Sequence, residues 1–175
     1  MMIVTKTKKL KEAKKLYREA FPKEERLPWW VLRLMTAPKG VALTAYERDD
    51  EFLGFTHSTA TEDILFIMFF AVRGDLRGKG CGSAILEHIK QTNPGKAIVL
   101  NVEPLDDNAD NAAQRASRMR FYQKNGFFDT GYDVAEVGGV FRVLSTDPVL
   151  DVEAYLRVFG RLSLGFWRPE ITKVK

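Results

Sequence analysis

The chain has 175 residues, 45% of them hydrophobic and 29% charged, which suits one soluble globular domain with a sizeable core. A net charge of +4 suits a polyanionic small ligand and is too small to indicate a nucleic-acid partner, and the single cysteine, Cys81, excludes an internal disulfide. The longest apolar run, residues 64–72, is too short to cross a bilayer. At the N-terminus the charged residues follow the apolar ones, which is the reverse of the order in a signal peptide. We therefore expect a cytoplasmic protein without a membrane partner.

The N-terminal third predicts short alternating elements. A strand is expected at residues 2–6, followed by a helix over residues 8–21, where apolar residues recur at helical spacing opposite a solvated row of lysines. Pro28 predicts the start of a second short helix, because proline is favoured at the first helical position. Residues 41–48 and 52–60 read as the two strands of a hairpin.

A strand–helix–strand unit is predicted in the middle of the chain. Residues 64–72 form a continuous apolar run, which is typical of a strand covered on both faces. A glycine-rich turn, a helix to about Thr92 and a strand at residues 97–102 follow, and such a unit should be parallel and right-handed. A helix over residues 110–124 and strands at about 127–136 and 140–145 complete a mixed sheet of the α/β class.

The C-terminal segment predicts one more helix. Asp147 and Pro148 suit the N-cap and first position of that helix, and Val149 begins an apolar stripe at helical spacing. We therefore expect a main domain at residues 1–147 and an appended helix and tail at residues 148–175. Phe166 and Trp167 in that tail are candidates for a homodimer interface or for packing on the domain itself.

The turn after the central strand carries the strongest functional signal. Backbone N–H groups at the start of a helix have no intrahelical partner, and the helix dipole places partial positive charge there. Gly78, Gly80 and Gly82 lack Cβ atoms, so an anion can approach these N–H groups closely. Arg77 and Lys79 add full positive charge. The turn is therefore predicted to bind a phosphate group.

The glycine spacing distinguishes between kinds of phosphate loop. A P-loop would need a glycine where Lys79 stands, and a dinucleotide-binding fingerprint would need one at Ser83. The pattern that fits is Arg-x-x-Gly-x-Gly, at Arg77, Gly80 and Gly82. It resembles the pyrophosphate-binding loop of the GCN5-related N-acetyltransferase (GNAT) superfamily. A tight strand-to-helix turn that merely needs small residues is the structural alternative.

A second motif lies downstream, where the helix predicted at residues 110–124 ends. Residues 121–127, Phe-Tyr-Gln-Lys-Asn-Gly-Phe, are similar to the Phe-Tyr-x-x-x-Gly-Phe segment of the same superfamily. Asn125 or Gly126 can adopt the left-handed conformation that ends a helix. Tyr122 alone could be a packing residue, but two motifs in the correct order make the resemblance specific.

The resemblance implies a mixed, mostly antiparallel sheet that binds coenzyme A at the carboxyl ends of two parallel strands, with acetyl-CoA as co-substrate and no metal. The backbone of residues 70–72 should pair with the pantetheine arm like an added strand, and the N–H groups of residues 78–83 should hold the pyrophosphate. Superfamily members often place a cofactor-binding asparagine two helical turns before the motif tyrosine. Arg115 stands there, and Asn111, one turn earlier, either replaces it or simply starts the helix. The expected cofactor-binding residues are Phe70, Ala71, Val72, Arg77, Gly78, Lys79, Gly80, Cys81, Gly82, Ser83 and Asn111.

Acetyl transfer to an amine needs a polarised thioester, a neutral amine and a proton for the departing thiolate. Tyr122 is the general-acid candidate, because a phenol with a pKa of about 10 is protonated when a thiolate with a pKa of about 8.5 leaves. The general base is open between Glu103, directly or through a water, and His57, which could instead be a buried structural histidine. A nucleophilic role for Cys81 is not expected, because no histidine stands near it in sequence.

The resemblance places the acyl acceptor against the first two helices and the loop between them. Glu24 could attract a cationic amine there, and Trp29 or Trp30 could form a pocket wall; a solvated turn and core tryptophans are the alternative. The predicted acceptor is a primary amine on a small molecule or a peptide. A catalytically silent acyl-CoA-binding module is the alternative function.

Overall fold

The computed structural model describes residues 3–5, 9–23, 26–136, 139–162 and 168–174. Within these ranges the strands are β1 (Ile3–Thr5), β2 (Val41–Arg48), β3 (Glu51–Ala60), β4 (Ile64–Val72), β5 (Ala97–Val102), β6 (Phe128–Glu136), β7 (Gly139–Ser145) and β8 (Glu170–Lys173). The helices are α1 (Leu10–Ala20), α2 (Trp29–Leu34), α3 (Cys81–Thr92), α4 (Ala112–Lys124) and α5 (Val152–Leu162). No helix in the described ranges is long and apolar enough to cross a membrane.

The strands form a sheet in the order β1-β2-β3-β4-β5-β7-β6-β8. Antiparallel pairing joins β2 to β1 and β3, β7 to β5 and β6, and β6 to β8. β4 and β5 are neighbours in this order and form the parallel pair, which α3 connects. The predicted α/β class, with a mixed and mostly antiparallel sheet and one parallel strand–helix–strand unit, is therefore confirmed.

Predicted element boundaries agree with the structure to within a few residues over most of the chain. β2, β4 and β5 begin and end where the sequence predicts, and α1 is shorter than its predicted helix by two residues at the start and one at the end. β3 begins one residue early because Asp49 and Asp50 alone make the turn. Both have positive φ, 50° and 62°, the backbone conformation of a two-residue hairpin loop.

The described residues form two compact units. One lies within Met1–Ala60 and Ile67–Pro94, and the other within Thr61–Phe66 and Gly95–Lys175. The first contains β1 to β3, α1 to α3 and most of β4, and the second contains β5 to β8, α4 and α5. The division of the chain into a main domain at residues 1–147 and an appended segment stays a prediction.

In the first unit, α1 packs its apolar stripe against strand side chains. Ala13, Leu16 and Tyr17 are buried, and the ring of Tyr17 meets those of Phe55 and Phe69 edge-on at centroid distances of 6.1 and 5.2 Å. Such aromatic pairs add about 0.5–1.5 kcal/mol to the stabilisation that burial provides. The apolar spacing in the sequence therefore identifies the face of α1 that anchors this unit.

The start of α5 in the second unit corrects the sequence prediction. The helix begins at Val152, and the carboxylate of Asp151 accepts the N–H of Ala154 at 2.9 Å, so Asp151 and not Asp147 is the N-cap. Asp147 instead accepts the N–H of Val149 at 2.9 Å, a local turn that satisfies the backbone before the helix starts. Val149 is 77% exposed, so its predicted place in the apolar stripe is also wrong.

The described parts of the C-terminal segment, α5 and β8, pack within the second unit. The rings of Tyr155 and Phe159 on α5 lie 5.9 and 5.1 Å from that of Phe66. β8, which the sequence did not predict, pairs with β6 so that Glu170 lies opposite Ala135. Phe166 and Trp167 lie outside the described residues.

Candidate active site

Two glycines of the glycine loop have a left-handed backbone conformation. Gly78 and Gly80 have φ values of 74° and 80°, in the left-handed region that disfavours residues with a Cβ. Gly80 is the N-cap of α3, and no side chain caps the N–H groups of the first helical turn. A Cβ built at either glycine would meet nothing within 4 Å, so the glycines meet a backbone requirement and leave open space over the loop. That combination is a ready site for an anion.

The side chains of the loop separate into exposed cations and a buried thiol. Arg77 and Lys79 are exposed, so their charges can reach an anion at the loop. Cys81 is buried in the core with 6% exposure, which leaves only its backbone for the first turn of α3. The expectation that Cys81 is not a nucleophile stays a prediction.

Arg73, which the sequence analysis did not single out, holds the segment that leads from β4 into this loop. Its guanidinium donates to both carboxylate oxygens of Asp75, at 3.0 and 2.5 Å, and to Oε1 of Glu51 and the carbonyl of Phe52, each at 3.0 Å. Bidentate guanidinium–carboxylate contacts are geometrically specific. Arg73 thus holds the short 3₁₀ turn at Gly74–Leu76 against the start of β3. The partners on β3 are more than twenty residues away, so no local spacing signals them.

The end of β4 approaches β3 unusually closely at Gly54. A Cβ at this position would lie 2.3 Å from the carbonyl oxygen of Ala71 and 3.1 Å from the Cα of Val72. The N–H of Arg73 donates to the carbonyl of Leu53 at 3.0 Å, so the two backbones are held together here. Gly54 therefore sets where the backbone of residues 71 and 72 can lie.

Substituting Gly54 by alanine should destabilise the protein. Because the Cβ would meet backbone, which cannot rotate away, we expect a loss of about 1–3 kcal/mol in the free energy of unfolding, measured by urea denaturation. Gly160→Ala is the matched control, since a Cβ in this part of α5 has open space and alanine is the better helix former by about 0.5–1 kcal/mol. If Gly54→Ala is as stable as the wild type, the backbone of β4 moves away from the new Cβ at no measurable cost.

The second motif forms the C-terminus of α4. The N–H of Gly126 donates to the carbonyl of Gln123 at 3.0 Å, and that of Phe127 donates to the carbonyl of Tyr122 at 3.1 Å. With φ of 79° at Gly126, this is a Schellman cap, and it explains why glycine and phenylalanine follow the tyrosine at fixed spacing. Tyr122 is buried with 7% exposure between the rings of Phe121 and Phe127. Burial raises the pKa of Tyr122 to about 12, although the positive charge of Arg118 lowers it. The phenol is therefore protonated at neutral pH.

Glu103 and Asn111, two predicted site residues, lie together in an ion-pair cluster. Arg115 Nη2 and Arg118 Nη1 each lie 3.0 Å from a different oxygen of Glu103, and the Asn111 amide donates to Oε1 at 3.0 Å. Arg115 also donates to the Asn111 side-chain oxygen at 2.7 Å. Partial burial opposes ionisation of Glu103, but the amide and both guanidinium groups outweigh it and hold its pKa below the usual range. Both carboxylate oxygens of Glu103 are thus already paired, and its lowered pKa makes it a weaker base. The roles of Glu103 and Asn111 stay predictions.

His57, the other base candidate, is completely buried on β3. Burial lowers its pKa to about 4, so the imidazole is neutral. Its ring lies 6.4 Å from that of Phe69 in the core of the first unit. With no exposed surface in the structure, His57 fits the alternative of a structural histidine better than that of a base.

The residues predicted to bind the acceptor differ in their exposure to solvent. Trp29 is half-buried, with its ring 5.8 Å from that of Tyr17, whereas Trp30 is 68% exposed. Glu24 lies outside the described residues. Trp29 therefore takes part in packing, and the substrate-binding roles of Glu24, Trp29 and Trp30 stay predictions.

Comparison with known proteins agrees with both motifs. Residues 39–128, just over half of the chain, match the acetyltransferase (GNAT) domain family. The chain belongs to this family. YjbC of Bacillus subtilis (strain 168), an acetyltransferase by name, is 33% identical over 109 residues, which cover 62% of this chain and 47% of that protein. The match therefore spans about half the length of this curated relative.

Solved structures share the fold. A GNAT-family protein from Bacteroides thetaiotaomicron has 24% identity and a TM-score of 0.69, over 94% of this chain and 95% of its own. An aminoglycoside 6′-N-acetyltransferase in complex with coenzyme A has 15% identity and a TM-score of 0.61, over 85% of this chain and 99% of its own. At these identities the two structures establish the common architecture and nothing finer.

Proposed function

We propose that the protein transfers the acetyl group of acetyl-CoA to a primary amine. The observation that carries this proposal is the glycine loop, in which left-handed Gly78 and Gly80 precede an uncapped helix N-terminus with open space above it. Three consecutive N–H groups in the first turn of α3 suit the pyrophosphate of coenzyme A. Membership of an acetyltransferase family supports the same conclusion.

The residues around the loop would bind the cofactor through both backbone and side-chain contacts. The N–H groups of residues 78–83 would hold the pyrophosphate, except that of Lys79, which donates to the carbonyl of Leu76 at 3.4 Å. The exposed charges of Arg77 and Lys79 would face the phosphates. The backbone of residues 70–72 would pair with the pantetheine arm, and Gly54 supports this role by fixing where that backbone lies. Once bound, acetyl-CoA supplies an activated thioester.

Tyr122 would act as the general acid. The amine nitrogen attacks the acetyl carbon, the carbon–sulfur bond breaks, and the thiolate takes the phenolic proton. At neutral pH the phenol of Tyr122 is protonated and so has a proton to give, and its raised pKa makes it a weaker acid than a free phenol. The acceptor is a primary amine on a small molecule or a peptide. An aminoglycoside is the acceptor that one structural relative is named for.

A thiol-release assay tests this function directly. The purified protein is incubated with acetyl-CoA and, separately, spermidine, kanamycin and a peptide with a free N-terminus, while free coenzyme A thiol is measured. Calorimetry with acetyl-CoA reports binding in parallel. Turnover with any amine supports acetyl transfer, and binding without turnover would instead indicate an acyl-CoA-binding module. Failure to bind acetyl-CoA would overturn both.

A further inference from the structure

Three polar side chains meet at the end of β6. Glu136, the last residue of β6, accepts a hydrogen bond from the side-chain amide of Asn101 on β5. The hydroxyl of Tyr155 on α5 lies 2.8 Å from Nδ2 and 3.0 Å from Oδ1 of the same asparagine. Tyr155 is fully buried, whereas Glu136 and Asn101 keep part of their surface accessible. The carboxylate is therefore oriented by a buried tyrosine through Asn101, while part of the Glu136 residue remains accessible.

Among the residues that the structure describes, no cation pairs with Glu136. Its hydrogen-bond partner is a neutral amide, and burial raises its pKa to about 7 despite that bond. Carboxylates removed from water normally have a cationic partner. Charged groups on the neighbouring elements face other partners or solvent. The pairs are Arg142 with Asp129 and Asp133, Arg157 with Asp63, Arg168 with Glu153, and Lys173 over the Tyr132 ring, and the side chain of Glu170 is exposed.

Glu136 differs in this respect from both base candidates of the sequence analysis. The two oxygens of Glu103 are already held by two guanidinium groups, and its pKa is lowered. His57 is fully enclosed. Glu136 has no cationic partner among the described residues, and part of its surface is accessible. Its pKa of about 7 is close to neutral pH, as a general base requires.

We infer that Glu136 binds the ammonium group of the acyl acceptor and removes its proton, with Asn101 and Tyr155 as the residues that position the carboxylate. This inference rests on the proposed acetyl transfer and specifies its substrate as an amine that arrives as a cation. Asn101 holds one carboxylate oxygen, and Tyr155 fixes Asn101 in turn.

The proton balance of the step is simple. The acceptor enters as R–NH3⁺ and gives one proton to ionised Glu136, which leaves a neutral amine. The nitrogen lone pair forms the C–N bond with the acetyl carbon, and the C–S bond breaks. The thiolate takes the proton of Tyr122, and the second nitrogen proton, lost as the amide forms, restores the phenol. Glu136 then releases its proton to water, so one proton is produced for each acetyl group transferred.

The kinetic test uses Glu136→Gln and Glu136→Asp in the full chain. Glutamine keeps the shape and the oxygen that Asn101 contacts but can neither bear charge nor take a proton. We expect kcat/KM at neutral pH to fall at least tenfold in Glu136→Gln, with the acidic limb near the Glu136 pKa lost and the affinity for acetyl-CoA unchanged. Glu136→Asp should recover part of the activity. Glu170→Gln, which alters an exposed carboxylate on β8, is the matched control.

A turnover-independent measurement separates this inference from the proposed function. The carboxyl carbon of Glu136, labelled with ¹³C and assigned with Glu136→Gln, is titrated by NMR with and without n-butylamine. A bound ammonium ion should lower the pKa of Glu136, because a nearby positive charge favours the carboxylate. An unmoved pKa would overturn the inference even if the protein transfers acetyl groups, as would an unchanged acidic limb in Glu136→Gln. A shifted pKa in a protein without turnover would preserve the amine site and reject acetyl transfer.

Discussion

Gly80→Val should weaken acetyl-CoA binding about thirtyfold while the protein stays folded. Gly80 is the N-cap of α3 with φ of 80°, and a Cβ in this left-handed conformation costs about 1–2 kcal/mol. A branched side chain adds to that strain, so the loop should relax and turn its N–H groups away from the pyrophosphate. Loss of one hydrogen bond to a charged group costs about 2 kcal/mol, which corresponds to about thirtyfold in the dissociation constant that calorimetry measures.

Gly74→Ala provides the matched control within the same loop. Gly74 does not have a positive φ, and a Cβ there meets nothing within 4 Å, so alanine should leave both fold and cofactor affinity unchanged. Gly80→Ala, with one methyl group and no branch, should fall between the two. If Gly80→Val melts cooperatively and binds acetyl-CoA as tightly as wild type does, the loop is only a tight turn between strand and helix.

Local signals in the sequence were sufficient for much of the fold and for the loop. The glycines at 78, 80 and 126 each meet a backbone requirement of their own immediate segment, because all three have a positive φ. The sequence analysis predicted this conformation for Asn125 or Gly126. Apolar periodicity likewise locates β4, β5 and the buried face of α1. These features depend on a few neighbouring residues, so spacing alone reveals them.

Pairings between distant segments could not be predicted in this way. Arg73 meets Glu51 across 22 residues, and Asn101 meets Tyr155 across 54, so only the register of strands and helices brings them together. Glu103 looked like a free carboxylate after a strand, but the fold places it between two arginines of α4. The misplaced start of α5 has a different cause, because Asp147 and Asp151 both suit an N-cap and only the observed hydrogen bonds distinguish them.

The difference separates two kinds of site prediction. The loop that is predicted to bind phosphate is built from backbone, whose geometry its own sequence dictates. Acid–base roles depend on charge and burial, which are sums over the whole environment. Tyr122 and Glu136 both sit where burial raises the pKa, and Glu103 sits where ion pairs lower it. Only the folded chain distinguishes among these three.

Tyr122→Phe should lower kcat at least about a hundredfold and leave the affinity for acetyl-CoA unchanged. Phenylalanine keeps the ring packed between Phe121 and Phe127, so the change removes only the hydroxyl. Loss of a general acid typically costs about 10²–10⁴ in rate. Tyr46→Phe is the matched control, because burial raises the pKa of Tyr46 to about 12 as well and its hydroxyl contacts Thr56 at 2.9 Å. That variant should be less stable by about 1 kcal/mol, with kcat unchanged.

The pH profile gives this assignment a second, independent test. An acid with a pKa of about 12 stays protonated through the range in which the enzyme can be assayed, so wild-type kcat should not fall on the basic side through deprotonation of Tyr122. The direction follows from burial, which disfavours the charged phenolate and moves the loss of the proton to higher pH. A basic limb with an apparent pKa below about 9 that disappears in Tyr122→Phe would contradict a phenol held neutral by its surroundings. Equal losses of kcat and cofactor affinity in that variant would instead identify Tyr122 as a packing residue at the end of α4.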